Sequence, residues 1–320
     1  MTNKKRGPRS LLASALPLSL FFIGGTLLSA GRSGDASISS YLLAALLSAL
    51  LLSAAFPAAC DIFSPSSIKE AKGFFGRLAL ALLSILLIPT ASALSLVSAR
   101  EFSDFASEVM FLRLPTPLIS LLFIVFCIFF ASKGLTVAKK LSRSAFILVL
   151  AGASLLFVYS VPSMSFDLFT LDIGTPTASE VIKIFMSLFL PLAIPMIFLC
   201  TERSEAKAPL SAPLTGVAIG VALIILCHMN VLLLFGEALA ESLQMPYPEA
   251  VATVTAGKLF LRLEGLFYAM YFAAASFRCA ICLALASSAV RKLFPNVKDL
   301  PICALLGLAV YLFINFLPAL

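Results

Sequence analysis

Nine continuous apolar runs, each near twenty residues, leave this chain few ways to fold. They lie at about 11–30, 41–59, 77–98, 115–132, 144–162, 182–200, 213–236, 265–288 and 299–318. A helix rises about 1.5 Å per residue, so about twenty apolar residues match the roughly 30 Å hydrocarbon core of a bilayer. Backbone amides in hydrocarbon must bond within one helix or around a closed barrel. Barrel strands would alternate polar and apolar residues over about ten positions, and these runs do not alternate. The expected class is therefore an all-α polytopic membrane protein with about nine transmembrane helices. Composition agrees. Of 320 residues, 61% are hydrophobic and 12% charged, and the mean hydropathy is +1.06. Soluble domains carry about twice that charged fraction.

The net charge of +7 would suggest nucleic acid in a soluble protein. In a membrane protein it reflects basic cytoplasmic loops, and no interleaved basic-aromatic motif points elsewhere. Sixteen of the 23 Lys and Arg fall in the N-terminus and the second, fourth, sixth and eighth loops. Six fall in the alternate loops, and the last is Arg278, inside a span. This asymmetry predicts a cytoplasmic N-terminus and, after nine spans, an outer C-terminus. Residues 1–10 carry Lys4, Lys5, Arg6 and Arg9. They resemble the start of a signal peptide, but the following run is long and no A-x-A site follows. The expectation is a cytoplasmic basic tail at 1–10 and one transmembrane domain at 11–320. Two outer segments, 163–181 and 237–264, exceed a simple turn. They suit either a gate over a vestibule or solvated loops.

Chemistry-bearing residues are few. Gly24, Gly25 and Thr26 sit in the second half of the first run, where paired glycines weaken a helix and admit close backbone approach. Pro191 and Pro195 sit in the sixth run, and each removes a donor and frees a carbonyl one turn earlier. Transporters built from two inverted repeats interrupt their first helices near the midplane and bind substrate at the exposed backbone. The first and sixth runs are corresponding members of two five-helix halves. The expected substrate contacts are therefore Gly24, Gly25, Thr26, Pro191 and Pro195. Plain packing and kinks are the other reading, and Pro89 in the third run carries no such role.

Arg278 lies fourteen residues after Glu264 and thirteen before Arg291, roughly 20 Å from either end of its helix. A central Arg costs at least about 2.5–3.5 kcal/mol on insertion scales. No Asp or Glu is expected inside a span, so the counter-charge is sought elsewhere. The candidates are freed carbonyls, an anionic ligand, Glu180 or Glu237 reaching inward, or a partner subunit. Cys279 and Cys282 have thiol-redox spacing, but small residues three apart on an apolar helix more simply form a packing face. His228 is the only histidine, which rules out a bis-His haem within one chain. There is no P-loop, no Ser-His-Asp set and no metal-ligand cluster, so neither an enzyme nor a cofactor is expected.

Tyr247-Pro248-Glu249-Ala250-Val251, then Gly257-Lys258-Leu259-Phe260-Leu261-Arg262-Leu263-Glu264-Gly265-Leu266, resembles the spore germination permease family. Members are B subunits of nutrient germinant receptors, related to amino acid/polyamine/organocation transporters. The family shows an Arg-Leu-Glu-x-Leu lead-in to its eighth helix and a basic residue about fourteen positions later, usually Lys and here Arg278. Leu114-Pro115-Thr116-Pro117 and Lys133-Gly134-Leu135, with Lys139 and Lys140, look like two earlier family stretches. The resemblance covers most of the chain.

It implies a permease-like domain with a LeuT-like 5+5 inverted-repeat bundle lacking the last helix. It also implies sensing of an amino acid or similar nutrient in the spore inner membrane, with the receptor's A and C subunits as partners. Arg278 joins the substrate-binding candidates on this ground. Thr136 departs from the family, standing where a Glu is usual. A secondary amino acid transporter and an ion channel or structural subunit are the alternative functions.

Overall fold

The computed structural model describes residues 8–27, 38–63, 74–111, 113–165, 177–201, 212–254, 264–294 and 296–316. Side chains at 8–14, 56–63, 74–80 and 194–201 are not among those described, including Pro195, Cys60 and Cys200. The basic residues at 4–6, 32, 69–72, 203–207 and 258–262 lie outside the described residues, as do Asp167, Asp172 and the 257–263 stretch.

Among the described residues, nine long helices follow the nine apolar runs. They are α1 Pro8–Thr26, α2 Ile38–Phe63, α3 Phe74–Phe105, α4 Thr116–Ser132, α5 Leu135–Ser160, α6 Ala178–Thr201, α7 Ala212–Phe235, α10 Glu264–Leu293 and α11 Asp299–Phe316. Two short helices, α8 Glu237–Ser242 and α9 Pro246–Thr253, occupy much of the long segment after α7. The punctuation is chemical. Gly134 at φ +83° turns α4 into α5, and Gly236 at φ +73° separates α7 from α8; both conformations favour glycine. Pro115 is the cap from which α4 starts, and Pro246 opens α9, where a missing N–H costs nothing.

Many large apolar side chains point outward, including Leu46 and Leu50 of α2, Leu86 of α3, Leu122 and Val125 of α4, Ile147 of α5 and Leu305 and Leu308 of α11. In water such faces would aggregate; in hydrocarbon they are solvated. The described residues include five helices long and apolar enough to span a bilayer.

The chain divides into two compact units. The first holds residues 1–54, 144–192 and 211–274; the second holds 55–143, 193–210 and 275–320. Within α6 the division falls between Leu192 and Ala193, and so between the two prolines.

In the first unit, α1 and α7 approach closely because α7 carries Gly216 and Gly220, one helical turn apart. A β-carbon on Gly216 would sit 2.7 Å from the Ala15 carbonyl oxygen and 2.8 Å from Leu18 Cβ. One on Gly220 would sit 2.9 Å from Phe22 Cδ1. Glycines four apart let two membrane helices meet backbone to backbone. In the second unit, Gly307 of α11 plays the same part against Ile128 and Ile124 of α4. Asn315 Nδ2 donates to Ser120 Oγ at 3.2 Å across that pair. From Ala274 to Ser287 every residue of α10 is buried, as expected of a helix ringed by small and apolar residues.

Candidate functional site

The apolar run of α3 ends near residue 98, but its helix does not. It continues to Phe105 and adds one π turn, Ala106–Met110, closed by the Phe111 N–H donating to the Ala106 carbonyl at 2.7 Å. Arg, Glu and Phe at 100–102 are tolerated in a helix, and Arg100 pairs with Asp104 four residues on at 3.7 Å. The extension corrects the expectation that no carboxylate lies within a membrane helix, because it carries Glu101.

Glu101 is the counter-charge of Arg278. Arg278 Nη1 donates to Glu101 Oε2 at 3.1 Å. The two side chains differ sharply in exposure, 6% for Arg278 and 38% for Glu101. The cation is therefore enclosed while the Glu101 side chain is partly exposed. A buried charge without a partner is costly, and removing one member of such a pair typically costs about 3–5 kcal/mol.

The same helices are tied by further contacts. Cys279 Sγ lies 3.8 Å from the Ser95 carbonyl oxygen, and Cys127 Sγ lies 3.8 Å from that of Ser276. Phe102 of α3 stacks on Phe123 of α4 with centroids 4.3 Å apart. Ser95, Ser98 and Ser103 line the buried side of α3, and their hydroxyls donate back to carbonyls three or four residues earlier at 2.7–2.8 Å. Ser276, Arg278 and Cys279 of α10 are thus held against α3 and α4. Cys279 and Cys282 are both buried and carry free thiols, which suits a packing face.

The remaining sequence candidates fall elsewhere. Gly24, Gly25 and Thr26 form the end of α1, which stops at Thr26. The Thr26 hydroxyl donates to the Phe22 carbonyl at 3.0 Å, and the Leu27 N–H donates to that of Ile23 at 2.9 Å. The helix thus passes through Gly24 and Gly25 to Thr26, and residues 28–37 lie outside the described residues. The sixth run is likewise unbroken: α6 is continuous from Ala178 to Thr201, through both Pro191 and Pro195. Membrane helices tolerate proline where neighbouring groups satisfy the freed carbonyl. Gly24, Gly25, Thr26 and Pro191 belong to the first unit, and Pro195 and Arg278 to the second.

In the first unit Ser40 Oγ of α2 donates to Glu180 Oε2 of α6 at 2.9 Å, which ties the Glu180 side chain to α2. Tyr247 of α9, from the recognised Tyr-Pro pair, is fully buried. It meets Phe267 edge-on at 5.4 Å, and Phe267 stacks on Tyr271 at 6.2 Å. Burial pushes the Tyr247 phenol well above its ordinary value, so it stays protonated at any working pH. The aromatic residue of this motif anchors α9 to the first turns of α10.

Among the solved structures similar to this chain are two membrane transporters. One is a Na+-coupled sialic acid symporter in a substrate-bound outward-open state. It aligns at TM-score 0.62 and 11% identity, covering 95% of this chain and 71% of the symporter. The other is MHP1, a nucleobase-cation-symport-1 family transporter in a closed conformation with bromovinylhydantoin bound. It aligns at TM-score 0.53 and 16% identity, covering 97% of this chain and 74% of the transporter. At these identities the likeness speaks to fold, and the fold is the LeuT-like 5+5 inverted-repeat bundle, for which nine long helices are described in this chain. No curated protein sequence matches it. The family described as "Spore germination protein" matches residues 19–319. Nearly the whole chain is matched, on a membrane-transporter fold, and the chain therefore belongs to the spore germination protein family, as a permease-like integral membrane protein.

Proposed function

We propose that this protein is the B subunit of a nutrient germinant receptor in the spore inner membrane, with its N-terminus on the cytoplasmic side. It senses a small nutrient, an amino acid, and works with the receptor's A and C subunits. The observation that supports this most is the family match over residues 19–319 on a fold shared with substrate-bound transporters. The nutrient uses backbone groups near Gly24, Gly25 and Thr26 and near Pro191 and Pro195, and Arg278 contributes charge. Binding favours one arrangement of the helices over another, and its effect is bounded by its differential affinity for the two.

The test is nutrient-triggered germination and nutrient binding in Arg278→Ala and Gly25→Leu variants that still insert. Loss of response in both is expected; unchanged responses in both would refute the site. Co-purification with A and C subunits tests the assembly. The likeness to two symporters favours one second reading, a secondary transporter of amino acids. Accumulation of amino acid in proteoliposomes under a proton gradient would establish it over a sensor.

A further inference from the structure

The hairpin that joins α10 to α11 ends in a surface that is both cationic and apolar. α10 stops at Leu293 and α11 starts at Asp299. The turn between them is tight. The Phe294 N–H donates to the Val290 carbonyl at 2.8 Å, and the Val297 N–H donates to the Phe294 carbonyl at 3.3 Å. Residues 291–299 hold three cations, Arg291, Lys292 and Lys298, against one acid, Asp299. Arg291 Nη1 donates to Asp299 Oδ2 at 2.7 Å, which closes the hairpin and leaves the two lysines as its net charge. Both lysines are exposed. So are two large apolar side chains of the same turn, Phe294 at 61% and Val297 at 42%.

Length fixes the depth of this tip. The 30 residues of α10 span about 45 Å, which matches the roughly 40–45 Å of a bilayer with its headgroups. Its last turn therefore lies among headgroups. The 18 residues of α11 span about 27 Å, close to the hydrocarbon alone, so Lys298 just precedes the hydrocarbon edge. A third lysine stands at the same end of this unit. α4 runs antiparallel to α11, because Ser120 meets Asn315 and Ile128 meets Gly307. The end of α4 thus lies beside the start of α11, and there Lys133 holds its ammonium 5.0 Å from the centre of the exposed Phe129 ring. Water would hydrate the lysines but leave Phe294 and Val297 uncovered. A neutral headgroup layer would cover the apolar pair but leave the lysines without counter-charge. An anionic headgroup layer does both.

We propose that this tip is a binding site for the phosphate of an anionic glycerophospholipid. Lys292 and Lys298 donate to the phosphate oxygens, in charge-assisted hydrogen bonds. Phe294 and Val297 enter the boundary between headgroups and acyl chains, and Lys133 adds charge from the side of α4. An acidic protein surface would satisfy the lysines, but it would not cover apolar side chains at headgroup depth. α10 is buried at every residue from Ala274 to Ser287 and carries Arg278. The lipid therefore grips this enclosed helix at its end and ties its position to the composition of the bilayer. The site is independent of which nutrient, if any, the protein binds.

The test uses the full chain in a neutral detergent, titrated with dioctanoyl phosphatidylglycerol or with dioctanoyl phosphatidylcholine and read by the shift in melting temperature. Phosphatidylglycerol is expected to stabilise and phosphatidylcholine is not. One lysine beside an anionic lipid surface is worth about fivefold in binding. Lys292→Gln/Lys298→Gln should therefore raise the half-saturating phosphatidylglycerol concentration by about thirtyfold, and Phe294→Ser should raise it several-fold through lost insertion. If the first variant melts well below the unmodified chain before any lipid is added, Lys133→Gln/Lys298→Gln takes its place, with the same loss expected. Equal stabilisation by the two lipids overturns the proposal, and so does an unchanged half-saturation in the lysine variants. Glycerol phosphate, the soluble headgroup, is expected not to compete; displacement of the lipid by an equal concentration of it would mark a site for free anions and overturns the lipid reading. Stabilisation by polyglutamate equal to that by phosphatidylglycerol would mark a surface for acidic polypeptide and overturns it as well.

Discussion

One added methyl group tests the α1–α7 contact that positions Gly24, Gly25 and Thr26. At Gly216, alanine would place its β-carbon 2.7 Å from the Ala15 carbonyl oxygen and 2.8 Å from Leu18 Cβ. Neither atom is the loose end of a side chain, so relief requires α1 to shift as a body. Overpacking of this kind costs about 1–3 kcal/mol, and two fixed atoms put the cost in the upper part of that range. Alanine recovers about 1 kcal/mol of helix propensity over glycine. The net expectation for Gly216→Ala is destabilisation by roughly 1–2 kcal/mol.

Two other glycines calibrate the result. At Gly220 the nearest atom is Phe22 Cδ1 at 2.9 Å, part of a ring that turns aside, so Gly220→Ala should be milder. At Gly265, in the first turn of α10, nothing among the described residues lies within 4 Å of an added β-carbon, and Gly265→Ala should stabilise by somewhat less than the about 0.5–1 kcal/mol of a mid-helix site. The assay is heat-induced loss of the monodisperse species in one detergent, with all three variants measured against the unmodified chain. The expected order of stability is Gly265→Ala, unmodified, Gly220→Ala, Gly216→Ala. A Gly216→Ala protein as stable as the unmodified chain would refute the close backbone contact between α1 and α7.

Arg278→Met alone, which leaves the partly exposed Glu101 carboxylate without this cation, should lower stability by less than the about 3–5 kcal/mol of a fully buried pair, while Glu101→Met/Arg278→Met should fall close to the unmodified chain; thermal unfolding in nanodiscs compares them. Tyr247→Ala should cost about 3–5 kcal/mol as a large aromatic truncation, and Tyr247→Phe far less, because the ring makes the contacts with Phe267; the same melting assay separates packing from hydroxyl. Maleimide should leave Cys127, Cys279 and Cys282 unmodified in the folded protein and label them after denaturation, as read by mass spectrometry; rapid labelling of Cys279 or Cys282 in the folded state would revive a redox role.

The nine helices were legible because hydrocarbon imposes one demand on every span, about twenty apolar residues with the backbone bonded internally. Other features needed the fold. Gly216 and Gly220 stood in plain view, but spacing by four becomes a contact only once α1 is known to lie against α7. Pro191 and Pro195 suggested a gap, and α6 runs through both, because the loss of one hydrogen bond does not end a helix whose neighbours hold it. The partner of Arg278 was missed for a geometrical reason. An apolar run marks the length of helix in contact with lipid, whereas the helix itself stops only where backbone bonding fails. The 32 residues of α3 span about 48 Å against roughly 30 Å of hydrocarbon, so its last turns carry charge without leaving the helix. A buried cation on one span must therefore be matched against carboxylates a turn or two beyond the apolar limit of the others. By that rule Glu101, three residues past the apparent end of the third run, is a candidate before any coordinates are known, and Arg278 need not await a ligand to be neutral.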